Sequence, residues 1–74
     1  MFDAQLRLAT IRGLADKWAT DEKPVYPPLY SRGYLLGQCF LLRGIVSDRL
    51  MSEVLATEDY VNEAFDKRAR KVAA

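Results

Sequence analysis

The fold is decided by five residues, Arg43-Gly44-Ile45-Val46-Ser47, which combine a helix stop with a helix start. Gly44 can adopt the left-handed conformation that ends many helices, and the apolar Ile45 then makes the accompanying contact. Ser47 is a good N-cap for a following helix, and Val46 before it suits a hydrophobic staple. The stretch therefore predicts two helices joined as an antiparallel or steeply crossed hairpin.

The helix that precedes this stretch is predicted over residues 29–43 and is apolar almost all round. Its apolar residues include Leu35, Leu36, Cys39, Phe40, Leu41 and Leu42. A helix of this kind is typical of the middle of a bundle, so we expect it to be the most buried helix. Gly33 and Gly37 lie four residues apart on one face, and we interpret them as a close contact with another helix of the chain.

The helix that follows the stretch is predicted over residues 48–72. Its apolar seam contains Leu50, Val54, Val61, Phe65 and Val72, and the gaps are filled by Thr57 and Arg68. The triplet Thr57-Glu58-Asp59 could instead cap a separate fourth helix. We favour one continuous helix.

The first helix is predicted over residues 3–19, with Asp3 as its N-cap and apolar residues that recur every three or four positions. Three prolines in residues 20–28 then predict an extended connection, and we expect Val25 and Tyr26 within it to pack down onto the helices. The sequence thus predicts an all-α fold. It is a compact three-helix bundle, or a four-helix bundle if the third helix breaks. A Pro-rich loop lies between helices one and two, and residues 1–74 form one domain.

Composition excludes several kinds of chemistry. The 74 residues carry a net charge of +1 and contain no histidine, which excludes imidazole catalysis and histidine-ligated metal. A single cysteine, Cys39, excludes an internal disulfide and a cysteine-cluster zinc site. Its place in an apolar run predicts a buried thiol in a reducing cytosol. No signal peptide or membrane span is visible, so we expect a cytoplasmic protein that is not an enzyme and needs no cofactor or metal.

Protein binding is the function that the sequence favours. Tyrosine and arginine are enriched at protein interfaces, and several of them cluster around the proline loop and the start of the second helix. The predicted protein-binding residues are Tyr26, Leu29, Tyr30, Arg32 and Tyr34. The alternative interpretation places these tyrosines at the edge of the core with their hydroxyl groups in water.

Two other surfaces are candidates. An acidic binding face is formed by Glu53, Glu58, Asp59 and Glu63, and a basic helix end is formed by Lys67, Arg68, Arg70 and Lys71. The basic end could contact nucleic acid, but the acidic residues of the same helix would be repelled by phosphates. A nucleic-acid-associated regulator is therefore the less favoured function, together with a structural subunit of a larger assembly.

In size, mixed surface charge and lack of catalytic groups, the chain resembles in type the small accessory or inhibitor proteins that phages and mobile elements encode. No shared motif supports this likeness. It implies a protein that acts by occluding a partner protein. A homodimer is a further expectation, because dimerisation often completes the core of a very small domain.

Overall fold

The computed structural model describes the backbone of residues 3–73 and the side chains of residues 3–71. Within that part of the chain, three α-helices follow one another: α1 (Ala4–Thr20), α2 (Pro28–Arg43) and α3 (Asp48–Ala73). Each helix packs against both others, which confirms the predicted all-α three-helix bundle. The third helix continues through Thr57, so no fourth helix forms there. The side chain of Val72 lies outside the described residues.

The long axis of the bundle is set by α3. Its 26 residues span about 39 Å at the usual rise per residue, close to the 40 Å long dimension of the molecule. The helix α1 runs parallel to α3, because residue numbers rise together along their polar contacts. These contacts join Arg12 to Thr57, Asp16 to Tyr60 and Ala19 to Arg68. The helix α2 runs antiparallel to both, because Arg32 contacts Asp66 whereas Arg43, further along α2, contacts Glu58. The structure thus has the antiparallel form of the predicted hairpin.

The core is small and drawn from all three helices. Its buried apolar residues are Leu8, Ile11, Ala15, Ala19, Leu35, Cys39, Leu42, Val54, Val61 and Phe65. Thr57 is also fully buried, and its hydroxyl accepts from Arg12 Nε at 3.2 Å and donates to the Glu53 carbonyl at 2.8 Å. The predicted seam of α3 is confirmed at Val54, Thr57, Val61 and Phe65, while Leu50 is half-buried.

The helix ends agree with the sequence signals at three of four places. The backbone N–H of Leu6 donates to Asp3 Oδ1 at 3.1 Å, which confirms Asp3 as the N-cap of α1. Pro28 occupies the first turn of α2, where a missing N–H costs nothing. The Ser47 carbonyl accepts the first backbone bonds of α3, from Leu50 and Met51, so Ser47 occupies the predicted N-cap position.

The prediction of a left-handed Gly44 is wrong. This residue has φ −81° and ψ −13°, in the right-handed helical region. The Gly44 N–H donates to the Leu41 carbonyl at 3.2 Å, and the Val46 N–H donates to the Leu42 carbonyl at 3.0 Å. The last turn of α2 therefore continues right-handed into the connection. Four residues suffice for this turn without any positive φ.

Candidate protein-binding face

The second helix turns an apolar, uncharged surface to solvent. This surface, called here the outer face of α2, consists of Leu29, Tyr30, Gly33, Gly37, Phe40 and Leu41. Leu29, Phe40 and Leu41 are 79%, 69% and 66% exposed. Four of the 16 residues of α2 are buried, against four of 17 in α1, but the prediction that α2 lies in the middle of the bundle is wrong, because one side of it faces solvent. Its core contacts come from a single row that includes Leu35, Cys39 and Leu42, and no other part of the described chain covers the opposite side.

The two glycines of this face have no neighbour in the fold. A Cβ atom added at Gly33 or at Gly37 would meet no heavy atom within 4 Å. Our interpretation of this pair as a close contact with α1 or α3 is therefore wrong, because both glycines point away from those helices. A small-residue stripe that the fold itself leaves open remains free for a contact with another molecule.

The proline segment extends this surface rather than covering it. Val25 is 87% exposed and Tyr26 is 59% exposed, so the expectation that they pack down onto the helices is wrong. The backbone bends at residues 22–23 and 25–26, so the segment is not extended throughout as its prolines predict. The Tyr26 ring lies against that of Tyr30, with ring centroids 5.2 Å apart. This contact joins the proline segment to the outer face.

The predicted protein-binding residues fall into two groups. Tyr26, Leu29 and Tyr30 are exposed, and Tyr30 is 60% exposed beside the proline segment. Tyr34 is half-exposed, and its ring lies 6.1 Å from that of Trp18, so it borders α1. Arg32 points the other way.

Arg32 joins α2 to α3. Its Nε and Nη2 atoms donate to Asn62 Oδ1 at 2.9 and 2.7 Å, and its Nη1 donates to Asp66 Oδ1 at 3.1 Å. A guanidinium with three such bonds is already used by the fold. Arg32 is therefore a packing residue of the α2–α3 contact rather than a free member of the predicted site.

The other arginine of α2 makes a matching contact further along. Arg43 Nε and Nη2 donate to the two carboxylate oxygens of Glu58 at 2.7 and 2.6 Å. This bidentate contact raises the pKa of Arg43, chiefly because the guanidinium donates to that carboxylate. Both cations of α2 are thus engaged with α3, and neither contributes a charge to the outer face.

The four residues of the alternative acidic face do not share one side of α3. At about 100° per residue, Glu53 and Glu58 lie about 140° apart around the helix, and Asp59 lies about 100° further round. Glu58 is paired with Arg43, and Glu63 accepts from Arg70 Nη2 at 2.9 Å. The carboxylates are therefore dispersed and partly neutralised.

The basic end of α3 is also partly used by the fold. Arg68 Nη1 donates to the carbonyls of Ala19 and Asp21, at 3.0 and 2.5 Å. These are carbonyls at the carboxyl end of α1, which carry partial negative charge and lack a partner within the helix. Arg68 thus caps α1. Arg70 is paired with Glu63 in an exposed ion pair.

A groove of about 720 Å³ lies beside this cap, between the end of α1 and α3. Its wall carries both signs of charge, from Asp16, Glu22, Lys67 and Lys71. Tyr60 at its edge donates to Asp16 Oδ1 at 2.5 Å, and this bond raises the pKa of the phenol. Within residues 3–71, no three acidic or cysteine side chains are grouped so that they could hold a metal ion.

The predicted burial of Cys39 is confirmed. The side chain is fully buried, and burial raises the pKa of its thiol to about 11. A thiol in that setting packs as a small apolar group, because the reactive form is the thiolate.

Sequence reasoning missed Phe40, Leu41 and the outward orientation of the two glycines. The signal that could have found them is spacing, because residues 29, 33, 37, 40 and 41 recur every three or four positions without a charge among them.

In the described part of the chain, no helix combines the length and apolar character that crossing a membrane requires. Comparison with known protein families, with curated proteins and with solved structures finds no match.

Proposed function

We propose that this protein acts by binding another protein through the outer face of α2, without catalysis. The observation that carries the proposal is the exposure of Leu29, Phe40 and Leu41 on a face with no charged residue. Depletion of charge and enrichment of aromatic residues distinguish the centre of a protein interface from the remaining surface. The face therefore suits an apolar surface on a partner, which the bound chain would occlude.

The proline segment supports the same proposal. Tyr26 stands beside Tyr30, on a backbone that Pro24, Pro27 and Pro28 restrict. A surface that is already ordered loses less conformational freedom on binding. Tyrosine at such a place offers a large contact area with only two side-chain torsions.

Several of the polar groups that could support other functions are engaged within the fold. Arg68 caps α1, and Glu58 is paired with Arg43. Nucleic-acid binding through the basic end is therefore the weaker proposal, since phosphate contacts need free cations. A cytoplasmic location is the one that a single buried thiol suits best.

Affinity capture with matched variants tests the proposal. Tagged wild-type protein is used as bait in a lysate of its source cells, beside L41K and L6K. Both leucines are about two-thirds exposed, but Leu6 lies on α1. We expect a captured protein that is lost at least tenfold with L41K and retained with L6K.

Circular dichroism and melting of the three baits show that each is folded, so a lost partner reports on the surface. Capture that is equal for L41K and L6K would contradict the proposal, because the outer face would then be irrelevant to binding.

A further inference from the structure

The molecule exposes more surface than is expected for a folded monomer of its mass. A folded monomer of 8.4 kDa exposes about 4,600 Å² by the usual scaling with mass, whereas this chain exposes 5480 Å². Part of the difference comes from its elongated shape. The exposed side chains of the outer face of α2 supply on the order of 600 Å². Complete burial of two such faces would remove about 1,200 Å² from water, which is the lower end of specific protein interfaces.

The outer face is complementary to itself. When two identical helices cross antiparallel about a two-fold axis, residues face each other if their numbers add to a constant. For a sum of 70, Leu29 faces Leu41, Tyr30 faces Phe40, and Gly33 faces Gly37. Each pair joins residues of one kind: leucine with leucine, aromatic with aromatic, glycine with glycine.

The two-fold axis of this arrangement passes between Gly33 and Gly37, the two glycines that the fold leaves uncovered. Gly33 and Gly37 flank the midpoint of α2, and no part of the described chain lies within 4 Å of a Cβ added to either. Side chains normally hold helix axes about 8–10 Å apart, and glycine allows a closer approach. The larger side chains on either side can then meet across the axis. Because the face carries no charge, a second copy meets it without repulsion.

From these observations we propose that a second copy of this chain covers the outer face of α2. The two copies form an antiparallel, two-fold symmetric dimer that crosses at Gly33 and Gly37. This inference rests on the proposed function and names the partner. A lipid surface is the main competing occupant. Interfacial helices that bind lipid carry free lysine and arginine beside the apolar face, whereas Arg32 and Arg43 are both paired with α3.

Sedimentation equilibrium across the micromolar range tests the dimer. We expect wild type and L6K to pass from monomer to dimer mass with rising concentration. L41K should weaken the association by at least about 100-fold, because each dimer loses two buried leucines. A monomer mass for wild type up to 1 mM (roughly the millimolar affinity limit) would overturn the dimer. Association that L6K reduces as much as L41K would place the contact elsewhere and also overturn it.

Crosslinking tests the register. A mixture of L29C and L41C protein, treated with a short bis-maleimide, should yield far more covalent dimer than either variant alone. Cys39 is fully buried and does not compete. If each variant alone crosslinks as well as the mixture, the helices are parallel or unordered, and the proposed register is wrong.

Two further outcomes separate this inference from the proposed function. Capture of a different protein that depends on Leu41, together with a monomeric chain, would overturn the dimer and leave protein binding standing. Sedimentation of wild type with anionic phosphatidylserine vesicles, abolished by L41K and without dimer formation, would assign the face to lipid and overturn both.

Discussion

Replacing Gly33 and Gly37 with alanine gives opposite effects on the folded chain and on its association. Both residues are in α2, and an added Cβ at either meets nothing within 4 Å. Alanine is more favourable than glycine in a helix interior by about 0.8–1.0 kcal/mol. With no clash to offset this gain, the double variant G33A/G37A should raise the free energy of unfolding of the monomer by about 2 kcal/mol.

This gain is large enough to measure by thermal melting. For a domain of this size, about 1 kcal/mol shifts Tm by roughly 4–8 °C, so the double variant should melt roughly 8–16 °C higher. In the proposed dimer, the same methyl groups hold the two α2 helices apart. The dissociation constant should therefore rise at least tenfold or so, which corresponds to about 1.4 kcal/mol.

Gly13 provides the matched control. It lies in α1, and a Cβ added there also meets nothing within 4 Å. The variant G13A should therefore raise Tm by roughly 4–8 °C without changing association. Circular dichroism melts are recorded at sub-micromolar concentration, where the monomer dominates, and sedimentation measures association at higher concentration.

Two results would refute this reasoning. A lower Tm for dilute G33A/G37A than for wild type would show that the glycines are needed inside the fold. A higher Tm with unchanged association would show that the glycines face solvent but do not lie in the contact between copies.

Three further predictions concern the connection, the α1 cap and the buried thiol. G44A should leave the free energy of unfolding, measured in urea, within about 0.5 kcal/mol of wild type. Alanine can adopt the φ of −81° found at Gly44, and its Cβ would lie 3.6 Å from the Leu41 carbonyl oxygen, an ordinary van der Waals contact. A loss above about 1 kcal/mol would contradict this prediction. R68M removes the donor to two carbonyls at the end of α1 and should lower the free energy of unfolding by about 1–3 kcal/mol. R70M removes only an exposed ion pair and should lower it by under about 1 kcal/mol. Equal urea midpoints for the two variants would show that Arg68 does not cap α1. At pH 8 the Cys39 thiol, with its pKa raised from 9.0 to about 11, should react with iodoacetamide at least about 100-fold more slowly in the native state than in denaturant. The native rate should rise with pH towards 11, and comparable rates in the two states would show an exposed thiol of ordinary pKa.

The extent of each helix could be predicted from local chemistry. The predicted ranges 3–19, 29–43 and 48–72 differ by one residue at most from α1, α2 and α3 at each end. Asp3, Pro28 and Ser47 mark where helices begin, and their effect depends only on neighbouring backbone groups. Such signals can be recognised in the sequence without any knowledge of tertiary contacts. The handedness at Gly44 did not follow in the same way, because glycine permits both conformations and the turn selects between them.

The orientation of α2 could not be predicted, and the candidate site depends on it. A helix that is apolar all round gives no indication of which side faces the core. The exposure of Phe40 and Leu41 therefore does not follow from the sequence. The same reasoning failed for Val25 and Tyr26, because apolar character alone does not provide a surface to pack against.

The two flanks of α2 settle that orientation. Arg32 and Arg43 lie about 20° apart around the helix at about 100° per residue, and both reach carboxylates of α3. On the other flank, Tyr34 lies against Trp18 of α1. With one flank held by α3 and the other by α1, the row containing Leu35 must face the core, and the sector between the flanks must face outwards. That sector is the uncharged one, so the contacts that hold α2 against α1 and α3 also leave an apolar surface of the helix exposed.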